Sequence, residues 1–454
     1  MSADWAEMEL GDFLELKRGY DLPKKNRVPG KIPLVSSSGE SDSHSIAKVK
    51  GPGVITGRYG TIGQVFYIEE DFWPLNTTLY VKDFKGNDPL FVYYFLKTIR
   101  YCDYSDKAAV PGINRNHIHK AEIRVPIDPA YQRDLAEKLS ALDSKIQLNT
   151  QTNQTLEAIA QAIFKSWFVD FDPVKAKITV LEAGGSAEEA ELAAMSVISS
   201  LSLEALAELK QSNPDRDAHD CMDAGGRAAQ GAAAEGSANV AGGRLPGATY
   251  QQLAQTAALF PSKMQESELG DIPEGWEVKY LDYFIGFRNG KAIKKSVSGK
   301  YPVYGANGII GYSDISRSTR SVIIGRVGAY CGSVLYSIGK FWASDNTIIA
   351  SSPNSSMLPY IFYQLRFLNL NKYAGGAAQP LLNQASLKAI EVVFSSEEII
   401  EQFNRFLMPF LVADTSNVTQ NDLLGSIRDS LLPKLLSGEI ELSSLNEKTS
   451  EANA

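Results

Sequence analysis

Asp271, Glu277 and Lys279 have the residue types of a metal-dependent nuclease centre, with two carboxylates for a cation and an ammonium for phosphate. His117 and His119 could ligate zinc, and the cysteines Cys102, Cys221 and Cys331 are the other soft donors. Neither set is complete. The cysteines lie far apart with no CxxC pairing, which indicates neither a zinc site nor a disulfide framework. The histidine pair has no evident third ligand. A P-loop is absent, so the chain is not expected to hydrolyse ATP. The glycines of "GRYGTIG" (residues 57–63) are spaced in threes between strand-like segments, which does not suit a dinucleotide fold. No Ser/His/Asp order with a nucleophile elbow occurs. The reactive residue types therefore point to binding rather than to catalysis.

The elements that carry them occur twice. "VITGRYGTIGQVFY" (54–67) is answered by "VIIGRVGAYCGSVLY" (322–336). Trp5 matches Trp276, Pro33 matches Pro302, and Gly57, Arg58 and Gly60 match Gly325, Arg326 and Gly328. Phe72-Trp73 matches Phe341-Trp342, Asn76-Thr77 matches Asn346-Thr347, and "AAVPGIN" from Ala108 matches "AAQPLLN" from Ala377. The near-constant offset marks an internal duplication. Duplication also weakens the chemical readings. The stretch matching 277–279 has Glu7 and Glu9 but no lysine, and the counterparts of His117 and His119 are Ser386 and Lys388.

Each copy has short segments rich in β-branched and aromatic residues, an apolar helix ("PLFVYYFLKTIR"; "LPYIFYQLRFL") and a heptad helix. The first heptad seam runs Leu135, Leu139, Leu142, Ile146, Asn149, Asn153, Leu156, Ala160, Ile163, Trp167. The second runs Phe403, Leu407, Phe410, Asp414, Asn417, Asn421, Leu424, Arg428, Leu431, Leu435. Asn149 and Asn153 coincide with Asn417 and Asn421, and polar seam residues can fix register. Asp414 and Arg428 interrupt the second seam. Between the copies, "AEEAELAAMSVISSLSLEALAELK" reads as helical, and the Ala/Gly-rich residues 223–247 read as a flexible linker.

Net charge is −8, but it is unevenly placed. Residues 170–270 hold 15 acids against 7 Lys+Arg, residues 271–395 hold 13 Lys+Arg against 7 acids, and residues 1–128 are even at 17 each. A basic half points weakly to a polyanion. No apolar run reaches the length of a membrane span, and the acidic start "MSADWAEMEL" lacks a signal core, so a cytoplasmic location is expected. Two related units joined by heptad helices suit a reader of two DNA half-sites. The loops differ between copies, so the site should be asymmetric.

Together "TGRYGTIG", "IGRVGAYCG", "LNTQTNQTLEAIAQAIFKSWFVDFDP", "ESELGDIPEGWEV" and "SIRDSLLPKLLSGEI" make the chain resemble the specificity subunits of type I restriction–modification enzymes. The resemblance covers nearly the whole chain. It implies an α+β fold: two α/β target-recognition domains in tandem repeat, separated by two long antiparallel coiled-coil helices. The expected divisions are 1–129 and 271–395 for the recognition domains and 130–171 and 396–442 for the helices. Residues 172–270 form the central helical and linker region, and 443–454 a disordered tail.

The resemblance implies a non-catalytic subunit that binds double-stranded DNA, two modification (methyltransferase) subunits and restriction (translocase/endonuclease) subunits. It binds no cofactor directly; S-adenosylmethionine, ATP and Mg are implied for the partners. The Ala/Gly stretch before Ala248 looks inserted relative to the family. Alternatives are the recognition subunit of a stand-alone methyltransferase and a tandem protein-binding scaffold. Arg58 and Arg326 either reach phosphates or pin their turns through carbonyl hydrogen bonds. Base-edge readers are expected where the copies diverge. In the first copy these are Lys24, Lys25, Asn26, Arg27, Ser37, Ser38, His44 and Arg115. In the second they are Lys291, Lys294, Lys295, Asn307, Arg317, Arg320, Gln379 and Asn383.

Overall fold

The β-branched, turn-bounded segments fold as strands in a computed structural model that describes residues 4–104, 112–212, 248–376 and 380–440. The 223–247 linker, Cys221 and the 443–454 tail lie outside the described residues. The described residues divide into one unit within Met1–Leu148 and Gln420–Ala454 and another within Asn149–Thr419.

The first unit runs β1 (Trp5–Glu9), α1 (Leu10–Phe13), β2 (Glu15–Arg18), β3 (Ile32–Ser36), β4 (Gly39–His44), β5 (Gly53–Gly57), β6 (Val65–Ile68), β7 (Trp73–Pro74) and β8 (Thr78–Asp83). Then come α2 (Pro89–Thr98), α3 (Arg115–Ile118), β9 (Glu122–Pro126) and the start of α4 (Pro129–Phe168). All five residues of β5, Gly-Val-Ile-Thr-Gly, are buried, as befits a central strand of small and β-branched residues. It lies inside the sheet β2-β8-β5-β6, while β4-β3-β7 forms a second sheet with β3 and β7 parallel. Helix α2 starts on an Asp88 cap, which accepts from Phe91 N at 2.9 Å, and packs over β5 and β6. Phe13, Val54, Phe91 and Phe95 form the core with Leu135 and Leu139 of α4.

The second unit continues with α5 (Asp172–Glu182), α6 (Ala187–Ser199), α7 (Leu203–Ser212), α8 (Tyr250–Leu259), β10 (Met264–Ser267), β11 (Gly270–Pro273) and β12 (Glu277–Tyr280). Next are β13 (Gly286–Asn289), β14 (Tyr301–Gly305), β15 (Gly308–Ser313), β16 (Ser318–Gly325), β17 (Val334–Ala343) and β18 (Thr347–Ser351). The chain then forms α9 (Leu358–Phe367), α10 (Gln384–Lys388), β19 (Glu391–Phe394) and α11 (Glu397–Leu436). The sheet order is β13-β18-β16-β17-β14-β15, with β14 and β17 parallel. One ten-residue strand, β17, does here what β6 and β7 do separately in the first unit. Phe164, Trp167 and Phe168 of α4 anchor the core against Trp276, Tyr360 and Phe403. The expected central helix is broken at Ser200, which takes a left-handed φ of 55°, giving α6 and α7. Lys177 of α5 is buried there, bonded to Glu191 at 2.7 Å and Phe260 O at 2.8 Å.

Both heptad helices form, each of 40 residues, and within each unit their segments run antiparallel. In the first unit Arg428 meets Asp143 at 2.5 Å, and Asn421 donates to Ile146 O at 3.3 Å. In the second, Asn417 donates to Asn153 at 2.7 Å, and Asn153 to Asp414 O at 3.2 Å. Asp414 and Arg428 do not break the seam. Tyr336 OH donates to Asp414 at 2.6 Å, and burial raises that carboxyl above its ordinary range. Tyr94 OH donates at 2.7 Å to the same Asp143 carboxylate that Arg428 holds. No single helix among the described residues is long and apolar enough to cross a membrane.

Candidate nucleic-acid interface

The duplicated glycine segment is a turn whose backbone dictates its sequence. Gly57 and Gly325 end strands so close to the following loop that an added Cβ would lie 2.1 Å from Thr61 O in one copy and 2.2 Å from Tyr330 O in the other. Gly60 and Gly328 both take φ of 77°, a region that only glycine enters freely. Between these glycines the backbone of Arg58 bridges Thr77 O (2.9 Å) and Ile113 N (3.1 Å); that of Arg326 bridges Asn346 O (2.9 Å) and Leu382 N (2.9 Å). The bonds show a one-residue slip in the sequence match. Thr78 and Thr347 are equivalent, each donating its hydroxyl at 2.7 Å to the carbonyl three residues back, so Thr77 pairs with Asn346.

The Arg58 side chain donates from Nε to Ile113 O at 3.4 Å and stacks over Tyr59 at 4.5 Å, whereas Arg326 Nε is buried with no partner among the described residues. Arg58 lines a cleft of ≈ 550 Å³ with Lys17, Arg18, Tyr20, Asp21, Arg115 and Asn116 among its other walls. Four cations there face the single carboxylate of Asp21, which Arg18 approaches at 3.7 Å. Arg115 is exposed beside Asn114, which caps α3 by accepting from Asn116 N at 3.0 Å. Asn383 caps α10 in the same way, accepting from Ser386 N at 2.8 Å. By the same register, Arg18 and Arg115 become Asn289 and Gln384 in the second unit, and these hydrogen-bond to each other at 3.0 Å. Lys17 and Arg18 were not among the sequence candidates. Their signal was the basic pair before Gly19, on a strand rather than on a divergent loop.

Each unit also carries a hairpin of identical geometry. In β3–β4, Ser36 pairs with Gly39 around Ser37-Ser38; in β14–β15, Gly305 pairs with Gly308 around Ala306-Asn307. Both have a register shift at the same place, Leu34/Val35 and Val303/Tyr304. A basic loop runs along the outer strand of each. Lys24, Lys25 and Asn26 are exposed in a 3-10 turn. Arg27 is bonded to Asp42 at 2.8 Å and holds that carboxyl below its usual range. His44 is only 4% exposed, with Nδ1 3.0 Å from Val28 N and its ring edge-on to Trp73. Ser37 N donates to Thr77 at 3.3 Å, and Ser38 is exposed with its hydroxyl 3.0 Å from Ser36.

In the second unit Lys291, Lys294, Lys295 and Asn307 are exposed. Ser296 and Tyr312 exchange backbone bonds at 3.0 Å, which ties this loop to β15. Arg317 is exposed above Trp342 at 6.0 Å. Arg320, with φ of 37°, lies at the register shift between β16 and β17, where it alone stands opposite Ile338 and Gly339; such irregularities re-aim side chains. Gln379 lies outside the described residues. Lys279 is paired with Glu277 at 2.5 Å. His119 Nε2 accepts from Leu16 N at 2.9 Å, and burial, then Arg115, lowers its pKa. Among the described residues no group of three His, Cys, Asp or Glu could hold a metal.

A family model described as the type I restriction modification DNA specificity domain matches residues 2–158 and 273–414. The chain is 30% identical to the type I restriction enzyme HindI specificity subunit of Haemophilus influenzae, over 96% of this chain and all of that one. It is 22% identical to the MjaIX specificity subunit of Methanocaldococcus jannaschii, over 78% of this chain and 70% of the relative. In fold it is similar to the crystal structure of a type I restriction–modification S subunit from M. genitalium, with a TM-score of 0.57, 16% identity and 96% of each chain covered.

Proposed function

The chain belongs to the specificity subunits of type I restriction–modification enzymes, and from that premise we propose that each α/β unit reads one half of an asymmetric, two-part DNA site. As a member of that family it is the non-catalytic, sequence-specific DNA-recognition subunit, and it scaffolds methyltransferase and restriction subunits. Two modification subunits are the proposed stoichiometry, one for each copy of the repeat. S-adenosylmethionine, ATP and Mg belong to those partners, and the proposed location is the cytoplasm, with the DNA.

The observation that carries the two-half reading is the pair of hairpins with one backbone and two sets of tip residues. Identical scaffolds set the approach to the duplex, and divergent tips discriminate bases. The exposed candidates, with Lys17 and Arg18 added, are the proposed phosphate and base contacts, whereas Arg27 and His44 are assigned to the scaffold. The cationic cleft around Arg58 suits a backbone phosphate. The test measures duplex affinity against salt for the chain assembled with its modification subunits. The expected result is a steep fall with salt together with preference for one bipartite sequence. Affinity that is equal for all sequences at every salt concentration would reject the reading.

A further inference from the structure

The two hairpins present opposite chemistries from one backbone. Their registers place Ser38 with Asn307, Gly39 (φ 100°) with Gly308 (φ 109°), Glu40 with Ile309, and Ser41 with Ile310. The first tip is hydroxyl and carboxylate, and among the described residues Glu40 has no ion pair. The second tip is an amide followed by two isoleucines, 44% and 38% exposed, with Ile315 at 58% nearby in sequence. Ile310 is the extra residue of the bulge opposite Val303 and Tyr304, which sets it beside Ile309 outside the regular strand alternation. Neither is needed for a core: Ile310 lies over Gly305, whose added Cβ would sit 2.9 Å from its Cγ2. The strand that bears them is the outer one of its sheet, where exposed apolar residues invite association.

The surroundings select the partner. The loop tied to β15 carries Lys291, Lys294, Lys295 and Lys300; Arg317 follows, and Asp314 is the one acid between 291 and 320. Lys295 packs directly beside Gly311, the residue after Ile310. Apolar tips flanked by cations match a groove that offers methyl groups between phosphates. In DNA this is the major groove, which admits a two-stranded β-ribbon and carries one apolar group, the C5-methyl of thymine. An adenine edge beside it suits the Asn307 amide.

We propose that the β14–β15 hairpin reads thymine methyl groups through Ile309 and Ile310, whereas the β3–β4 hairpin, which carries Ser37, Ser38 and Glu40, reads hydrogen-bonding edges without them. The inference rests on the DNA-reading function proposed above. Its test replaces thymine by uracil, one position at a time on either strand, in a duplex bearing the mapped site, with the chain bound to its modification subunits. Uracil keeps every hydrogen bond and removes only the methyl. In the half-site assigned to residues 275–394, one or two substitutions should weaken binding about fourfold per lost methyl contact.

The double variant Ile309→Ser/Ile310→Ser should make thymine and uracil equivalent at those same positions. Both residues are exposed, so folding should survive, and incorporation into the complex checks this. No uracil effect in that half-site, or an equal effect in the variant, overturns the proposal while wild-type binding of the site still upholds DNA reading. Failure of the wild-type complex to prefer the site at all overturns both. Unchanged DNA affinity in the variant, with loss of a bound protein instead, would assign the isoleucines to a protein partner and also overturn it.

Discussion

Arg428 stands at a seam position where an apolar residue is the rule, and its replacement should loosen the helix pair rather than improve it. Its guanidinium lies 2.5 Å from Asp143, the same carboxylate takes the Tyr94 hydroxyl at 2.7 Å, and the ion pair is 23% and 28% exposed. Breaking a fully buried pair costs about 3–5 kcal/mol, and an exposed one under about 1. Intermediate exposure puts Arg428→Met at about 2 kcal/mol, because Asp143 is left with one partner. Asp143→Leu should cost a similar amount, by leaving the Tyr94 hydroxyl without its acceptor and Arg428 with only the exposed Asp429 carboxylate at 2.7 Å. Since each single change already destroys the shared contact, the double variant should cost little more than either, a coupling of about 1–2 kcal/mol. The assay is hydrogen exchange in peptides covering residues 135–148 and 421–436, because local opening is readable in a chain too large for two-state melting. A loss of 2 kcal/mol speeds exchange there roughly 30-fold. Additive single effects, or faster exchange confined to residues 149–419, would refute the reasoning.

Four further outcomes are expected. Gly57→Ala or Gly325→Ala, with a Cβ about 2 Å from a carbonyl oxygen, should cost about 3 kcal/mol and blur only the half-site read by that unit, as methylation patterns would reveal. Giving the first unit the second unit's amides, Arg18→Asn with Arg115→Gln, should reduce the slope of log affinity against log salt by about two if both arginines meet phosphates. The His119 imidazole is held neutral below its ordinary pKa. Its contribution is therefore complete above about pH 6.5 and is lost as pH falls through the lower folded value; thermal melts of wild type against His119→Gln from pH 5 to 8 should differ in slope only on the acid side. Inserting four residues after Thr150 and four after Val418 adds about 6 Å to each helix with the seam nearly in phase, so the preferred number of unread base pairs should rise by one or two while both half-sites stay the same.

The constant offset of matched residues made the repeat readable, heptad periodicity the two 40-residue helices, and dense apolar runs the helices α2 and α9, the latter buried from Leu358 through Leu365. Polar residues at the seam were harder to read. Asp414 and Arg428 look like interruptions because their partners, Tyr336 and Asp143, are 78 and 285 residues away in sequence. The same distance problem hid the role of His44, whose burial against Trp73 depends on a hairpin register that composition does not specify. The slip between Thr77 and Thr347 arose because two threonines adjoin in one copy, and only hydrogen bonds distinguish them. The divergent stretches include the two hairpin tips, Ser37-Ser38 and Ala306-Asn307, whose common register the sequence does not reveal. Lys17 and Arg18 escaped notice because strand residues read as framework until the cleft around Arg58 is seen.

The most direct test of the central claim is methylation mapping on genomic DNA by the assembled complex, before and after residues 275–394 are replaced by the equivalent unit of a relative. Each unit has its own core and its own hairpin, so one half-site should change to the donor's sequence while the other stays as it was. A change in both half-sites, or in neither, would contradict independent reading by two copies of one scaffold.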